Sequence, residues 1–110
     1  MKTLFERVIT ECTGQAGARG CLAAKAAMEL APRDKDVAAW FRRFHERNLG
    51  ILVELIQRGQ QRGEFSKSLS ADAAARFVLN HLAGLRLMGA TSPSEAEVRP
   101  VVDMVLKALE

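Results

Sequence analysis

Apolar residues recur along this chain at helical spacing, and glycine, proline or serine residues separate one apolar stretch from the next. The first stretch predicts an amphipathic helix over residues 2–12, which Gly14 and Gly17 end. The second predicts a helix over about residues 18–31. Pro32 stops this helix because proline cannot continue the ladder of backbone hydrogen bonds.

The third apolar stretch is the longest and predicts a helix of about 27 residues, roughly 40 Å in length. Asp34 and Asp36 offer carboxylate oxygens to the backbone N–H groups of its first turn. Asn48 interrupts its apolar stripe, and Gly50 is a position where it can bend. Gly63 suits the left-handed conformation that closes a helix.

The fourth predicted helix covers residues 71–90 and carries apolar side chains on nearly every side. Ser70 is the predicted N-cap, and Asp72 lies in the first turn. Such a helix has more apolar surface than one small chain covers. It therefore predicts a partner, most simply a second copy of the chain.

The fifth predicted helix covers residues 95–109. Its start signal places Ser92 at the N-cap, Pro93 at the first helical position and Glu95 as the capping-box residue. Pro100 removes one hydrogen bond from the ladder, so a kink is expected there.

Composition adds that this is one small all-α domain, because 110 residues support a single core and alanine and leucine dominate. The sequence contains no run of about 18 apolar residues, so no membrane-spanning helix is predicted. Glu6, Arg7 and Glu11 lie where a signal peptide needs an apolar run. We therefore expect a cytoplasmic protein, with residues 1–110 as one domain of five helices.

The formal net charge of +3 does not predict a nucleic-acid-binding surface. Arginine residues alternate with glutamates, as in the pair of Glu54 and Arg58, which lie four residues apart. A surface that follows phosphates needs clustered cations without carboxylates between them. This pattern instead predicts a solvated helix face.

Catalytic and metal-binding motifs are missing from the sequence. The two cysteines, Cys12 and Cys21, lie nine positions apart without the short spacing of zinc ligands. No phosphate-binding glycine loop and no nucleophile elbow is present. We predict no catalytic residue, metal or cofactor, although a small helical enzyme remains an alternative.

Three polar or reactive positions each have two interpretations. His45, at the edge of the third helix's apolar stripe, is either hydrogen-bonded at the core boundary or orients a ligand. Asn80 and His81 lie in the apolar fourth helix and either find partners across a subunit interface or contact a ligand. Cys21, at the start of the second helix, is either a small buried apolar residue or a thiolate stabilised by the helix N-terminus.

Several short motifs, in this order, resemble one subgroup of the tetracycline-repressor-like (TetR) transcriptional regulators. Residues 19–37 contain a Gly-Cys-Leu start, a Glu-Leu-Ala-Pro stop and acidic residues that open a long helix. Residues 59–65 read GQQRGEF, and Ser-Ala-Asp, Ala-Arg-Phe and Gly-Leu-Arg triplets follow. The resemblance covers essentially the whole chain.

The resemblance implies an all-helical C-terminal domain that binds a small-molecule effector between its helices. It also implies that the last two helices pair with those of a second subunit in a four-helix bundle. The family's N-terminal helix-turn-helix domain is not in this sequence, so DNA contact is expected only through that missing domain. The residues predicted to line the pocket are Leu22, Met28, Phe41, Phe44, His45 and Leu52. The residues predicted at the dimer interface are Phe77, His81, Gly84, Leu85, Met88, Val98, Val102, Val105 and Leu109.

The resemblance therefore implies the ligand-sensing and dimerisation domain of a bacterial transcriptional repressor, with a small apolar or aromatic effector and a homodimeric assembly. For the pocket, plain core packing is the alternative interpretation of the aromatic residues in the third helix. One alternative function is a ligand-free dimeric module for protein–protein assembly. Another is a sensor of electrophiles or oxidants that uses Cys21.

Overall fold

The computed structural model describes residues 2–12 and 28–110, which form helices and short connecting turns. No strand occurs in these two segments, and the predicted all-α class is confirmed. The predicted second helix lies mainly outside them, but residues 28–30 are helical and a turn at 31–33 follows, at the predicted stop. The long helices within the described residues are α1 (Lys2–Cys12), α2 (Lys35–Gln61), α3 (Ala71–Met88) and α4 (Glu95–Ala108).

The predicted N-caps of α2 and α3 are confirmed. Asp34 Oδ1 accepts hydrogen bonds from the backbone N–H of Asp36 at 2.9 Å and of Val37 at 3.3 Å. Ser70 Oγ accepts from the backbone N–H of Ala73 at 3.2 Å. These side chains satisfy N–H groups that have no partner inside the helix.

The C-terminus of α2 ends in the left-handed glycine that the sequence predicts. Gly63 has a φ of 75°, a conformation that favours glycine because it lacks a Cβ. The Glu64 N–H donates to the Gly59 carbonyl at 2.8 Å, and the Gly63 N–H donates to the Gln60 carbonyl at 3.2 Å. This pair of bonds forms a Schellman motif and turns the chain toward α3.

The predicted cap of α4 is wrong by two residues. Ser92 is not the N-cap but a left-handed residue, with φ 52° and ψ 54°, that follows a 3-10 turn over Gly89–Thr91. Ser94 is the N-cap, and its Oγ accepts from the Glu97 N–H at 3.3 Å. The sequence contains two overlapping Ser-x-x-Glu patterns, and the local pattern does not indicate which of them caps the helix.

The four long helices pack against one another in several pairs. The contact between α2 and α3 is the most extensive, and α1 packs against both α3 and α4. The loop between α2 and α3 is fixed from both sides. The Gln60 side-chain amide donates to the Ser66 and Leu69 carbonyls at 3.0 and 2.9 Å. The Ser66 N–H donates to the carbonyl of Leu109, at the end of α4, at 2.9 Å.

One apolar core joins all four helices. Among the described residues, the buried core consists of Phe5, Val8, Ile9, Leu49, Leu52, Ile56, Ala74, Ala75, Val78, Leu82, Val98, Val102, Val105 and Leu109. None of the described helices is both long enough and apolar enough to cross a membrane.

Four residues of this core were predicted to lie at a dimer interface, and within the single chain they are buried instead. Val98, Val102, Val105 and Leu109 are each no more than 5% exposed within a single chain. Helical spacing identifies the buried stripe of α4 but not the surface that covers it. Here the chain's own core covers it, so a partner cannot reach these side chains.

Candidate ligand cavity and exposed apolar faces

A cavity of about 410 Å³ lies between α2 and α3, with one contribution from α1. This volume is within the usual range of small-molecule sites. The described residues that line it are Leu4, Phe41, Phe44, His45, Asn48, Ile51, Leu52, Leu55, Leu79, Asn80, Leu82, Ala83 and Arg86.

The α2 wall of the cavity begins with aromatic rings that pack along the helix. The rings of Phe41 and His45 lie with centroids 6.4 Å apart at an interplanar angle of 28°, and Phe41 and Phe44 are 6.3 Å apart. Trp40 stacks on Phe44 at 5.6 Å but does not line the cavity, and its side chain is 45% exposed. Residues three or four apart on a helix share a face, and for this reason these rings meet.

The cavity contains few polar groups, and most of them have no hydrogen-bond partner in the described structure. Within residues 2–12 and 28–110, no hydrogen bond joins the side chains of His45, Asn48 or Asn80 to another residue. Arg86 is the only charged residue among the described lining residues. Its Nη2 atom forms an ion pair with Glu11 Oε2 on α1 at 3.3 Å. An apolar cavity with a few polar groups is the general form of a small-molecule site.

Of the six predicted pocket residues, four line this cavity: Phe41, Phe44, His45 and Leu52. Met28 does not line it, and this residue is 67% exposed. Leu22 lies outside the described residues, as does Cys21.

No pocket role was predicted for Asn48 or Arg86, and Asn80 was predicted to lie either at a subunit interface or against a ligand. The signal for all three was a polar residue within an apolar helical stretch. Asn48 interrupts the stripe of α2, and the other two interrupt the apolar surface of α3. Such an interruption indicates a special position but does not show what it faces.

A second feature is an apolar stripe on the outside of α3. The spacing of Phe77, His81, Gly84 and Met88 places them on one side of the helix, and Phe77 and Met88 are 36% and 56% exposed. His81 is half-buried beneath the Phe77 ring, with centroids 4.4 Å apart, and its Nδ1–H donates to the Phe77 carbonyl at 2.8 Å. Leu85, also predicted at the interface, is half-buried against the core.

The α4 helix has its own exposed apolar stripe beside its buried one. Val101 and Met104 are 42% and 73% exposed, and Ala108 lies one turn further along the same face. The exposed apolar stripe that α4 can offer to a partner therefore contains these three residues and not the valines of the core.

Salt bridges join α1 to both helices with exposed stripes. Arg99 on α4 donates to Glu6 Oε1 and Oε2 at 2.7 and 3.1 Å and also pairs with Glu95. The hydrogen bond from Arg99 holds the pKa of the Glu6 carboxyl below its ordinary value. The described residues contain no group of three or more side chains that could hold a metal ion.

Comparison with known protein families gives one match that covers most of the chain. Residues 1–105 match the family described as "Tetracyclin repressor-like, C-terminal domain". No curated protein and no solved structure matches the chain. Domains of the matched family are all-α and typically form the ligand-binding and dimerisation part of a transcriptional regulator. The match covers more than nine-tenths of the sequence and agrees with the helical fold, so the chain belongs to the family of tetracycline-repressor-like C-terminal domains.

Proposed function

We propose that this chain senses a small, largely apolar effector and forms the homodimeric part of a transcriptional repressor. The observation that carries the proposal is the cavity of about 410 Å³ between α2 and α3. Nine of its thirteen described lining residues are apolar, and the remaining four offer hydrogen-bonding groups. Simple core packing is a poorer account, because a close-packed interior leaves few spaces larger than a water molecule.

A ligand in this cavity contacts both helices of one hairpin, and this suggests how binding is transmitted. If α2 and α3 have two arrangements, the ligand binds more tightly to the one that gives it more contacts. Binding then shifts the population toward that arrangement, by an amount set by the difference between the two affinities. In a regulator, such a shift alters the geometry with which the protein meets DNA. The effect requires two arrangements that differ in cavity width.

The test is ligand-dependent thermal stabilisation, because a ligand that binds only the folded state raises the melting temperature. We expect Ala83→Phe to remove the stabilisation by hits from a library of small apolar and aromatic compounds. Ala83 lines the cavity yet is exposed, so a larger ring can enter the space without displacing the core.

Ala96→Phe, on an exposed position of α4 that does not line the cavity, is the matched control and should leave the stabilisation intact. Equal stabilisation of both variants would contradict the cavity as the binding site. If no compound stabilises the unmodified protein, the ligand-free assembly module becomes the better account.

We propose further that a second copy of the chain covers the exposed stripes of α3 and α4. The residues of each stripe recur at alternating spacings of four and three, as in helices that pack on other helices, and each stripe contains exposed apolar side chains. A Cβ added at Gly84 would meet nothing within 4 Å in the single chain, so the backbone there is open to a close helix crossing. The chain measures 43 × 33 × 16 Å, about two helices thick, and such a thin body leaves outer helix faces uncovered.

Sedimentation equilibrium at tens of micromolar tests the dimer. We expect Met104→Glu to produce a monomer, because it places a charge on the most exposed large apolar residue of the α4 stripe. Gln57→Glu adds the same charge to an exposed position of α2, outside both stripes, and should leave the dimer intact. A monomeric unmodified protein, or equal effects of the two variants, would contradict this interface.

A further inference from the structure

We propose that the effector is an organic acid whose carboxylate binds Arg86 while its apolar part fills the cavity. The carboxylate of the effector would replace Glu11 as the ion-pair partner of Arg86. This inference rests on the proposed function, since it names the chemical class of ligand for the same cavity. It also gives that cavity a direct connection to α1.

The charge distribution around the cavity favours an anion. Arg86 is the only charged side chain among its described lining residues, and the three other polar groups there are the imidazole of His45 and two neutral amides. Apolar walls strengthen the attraction between a cation and a carboxylate, because they lower the effective dielectric constant. The same walls disfavour an ammonium group, which would meet Arg86 with no carboxylate on the cavity lining.

Arg86 has guanidinium N–H groups that its ion pair with Glu11 does not use. Its guanidinium carries five N–H groups, and its only ion pair with a described residue is the single contact with Glu11 at 3.3 Å. A planar guanidinium binds a carboxylate through two parallel hydrogen bonds, which is a stronger arrangement than one long contact. The amides of Asn48 and Asn80 line the same cavity and have no hydrogen-bond partner among the described residues, so they offer the cavity further donors.

The exchange leaves no carboxylate without a cation. Glu11 Oε1 also accepts from Arg7 Nε at 3.2 Å, within α1 itself. When Arg86 turns to the ligand, Glu11 therefore keeps one positive partner. Both Arg86 and Glu11 are about 40% exposed, so solvent can support the rearrangement. The consequence is that binding removes the ion pair between the C-terminal end of α1 and α3, while the Glu6–Arg99 pair still joins the middle of α1 to α4.

Three compounds of equal chain length test the ligand class: octanoate, octan-1-ol and octylamine, each titrated by calorimetry. We expect octanoate to bind at least about tenfold more tightly than octanol, and octylamine to bind most weakly. Arg86→Gln should reduce octanoate affinity to that of octanol and leave octanol affinity unchanged. Arg76→Gln is the matched control, because Arg76 is on the same helix but pairs with Asp72 away from the cavity. This control should change nothing.

Glu11→Gln tests the exchange separately. Removing the competing carboxylate should raise octanoate affinity severalfold and leave octanol affinity unchanged. An unchanged octanoate affinity would contradict the exchange. Equal binding of octanoate and octanol, or an equal loss for all compounds in Arg86→Gln, would overturn the organic-acid inference while leaving the proposed function standing. Failure of all three compounds to bind at millimolar concentration would contradict both.

Discussion

Gly59 is the position in α2 where adding a single carbon atom should destabilise this fold. A Cβ built on Gly59 would overlap the ring of Phe65, in the loop that leads to α3. The ring cannot move away freely, because it packs against the core and the Phe65 N–H is bonded to the Gly59 carbonyl at 3.3 Å. We therefore expect Gly59→Ala to be destabilising.

The magnitude follows from comparison with Gly50, which is also in α2. A Cβ at Gly50 meets nothing within 4 Å, so Gly50→Ala should stabilise the protein by up to about 1 kcal/mol through helix propensity alone. Gly59→Ala gains at most the same amount but incurs a packing cost of about 1–3 kcal/mol. The difference in unfolding free energy between the two variants should therefore be about 1–3 kcal/mol, with Gly59→Ala the less stable.

Urea unfolding followed by circular dichroism at 222 nm measures this difference, at one fixed protein concentration because dimerisation would add to the stability. A double-mutant cycle then assigns the cost to the ring. In the background of Phe65→Ala, Gly59→Ala should no longer be destabilising. Equal stabilities of the two single alanine variants, or a cost that persists without the ring, would refute the reasoning.

Three further predictions concern the core, a helix cap and an ion pair. Val102→Ala should lower the unfolding free energy by about 1.5–3 kcal/mol, whereas Val101→Ala, on the exposed face of the same helix, should change it by less than about 1 kcal/mol. Similar costs in urea unfolding would contradict the assignment of the two stripes. Asp34→Ala removes the N-cap of α2 and should cost about 1 kcal/mol, while Asp34→Asn should restore most of the stability. The hydrogen bond from Arg99 lowers the pKa of Glu6 in the folded protein. The Glu6 carboxylate therefore stabilises the fold at pH values above its ordinary pKa of 4.5, and this contribution should disappear as the pH falls below that value. The difference in urea midpoint between Glu6→Gln and the unmodified protein should therefore shrink in acid, and a difference independent of pH would argue against the pair.

The sequence predicts those features that depend on local chemistry. The caps at Asp34 and Ser70 and the left-handed Gly63 require only the residues beside them, and the structure has all three. The start of α4 was misplaced for a local reason too, since Ser92 and Ser94 offer equivalent patterns.

The packing partners of a helix face depend on distant parts of the chain, and there the sequence was less informative. The stripe of Val98 and Val102 was correctly identified as apolar and buried, but α1 and α3 cover it rather than a second subunit. The aromatic residues of the α2 cavity wall were found because they lie on one stripe. The contribution of Arg86 depends on how α3 lies against α2, and helical spacing does not contain that information.

The hydrogen bonds of the Gln60 side chain and the turn at Gly63 hold α2 and α3 together at one end of their hairpin. The cavity lies roughly 20 Å from that end, and α2 extends to roughly 40 Å from it. Spreading the walls by a small amount at the cavity therefore moves the tip near Lys35 about twice as far. A pair of fluorescent labels, one near Lys35 and one on α3, would therefore show the largest change in distance when a ligand enters the cavity.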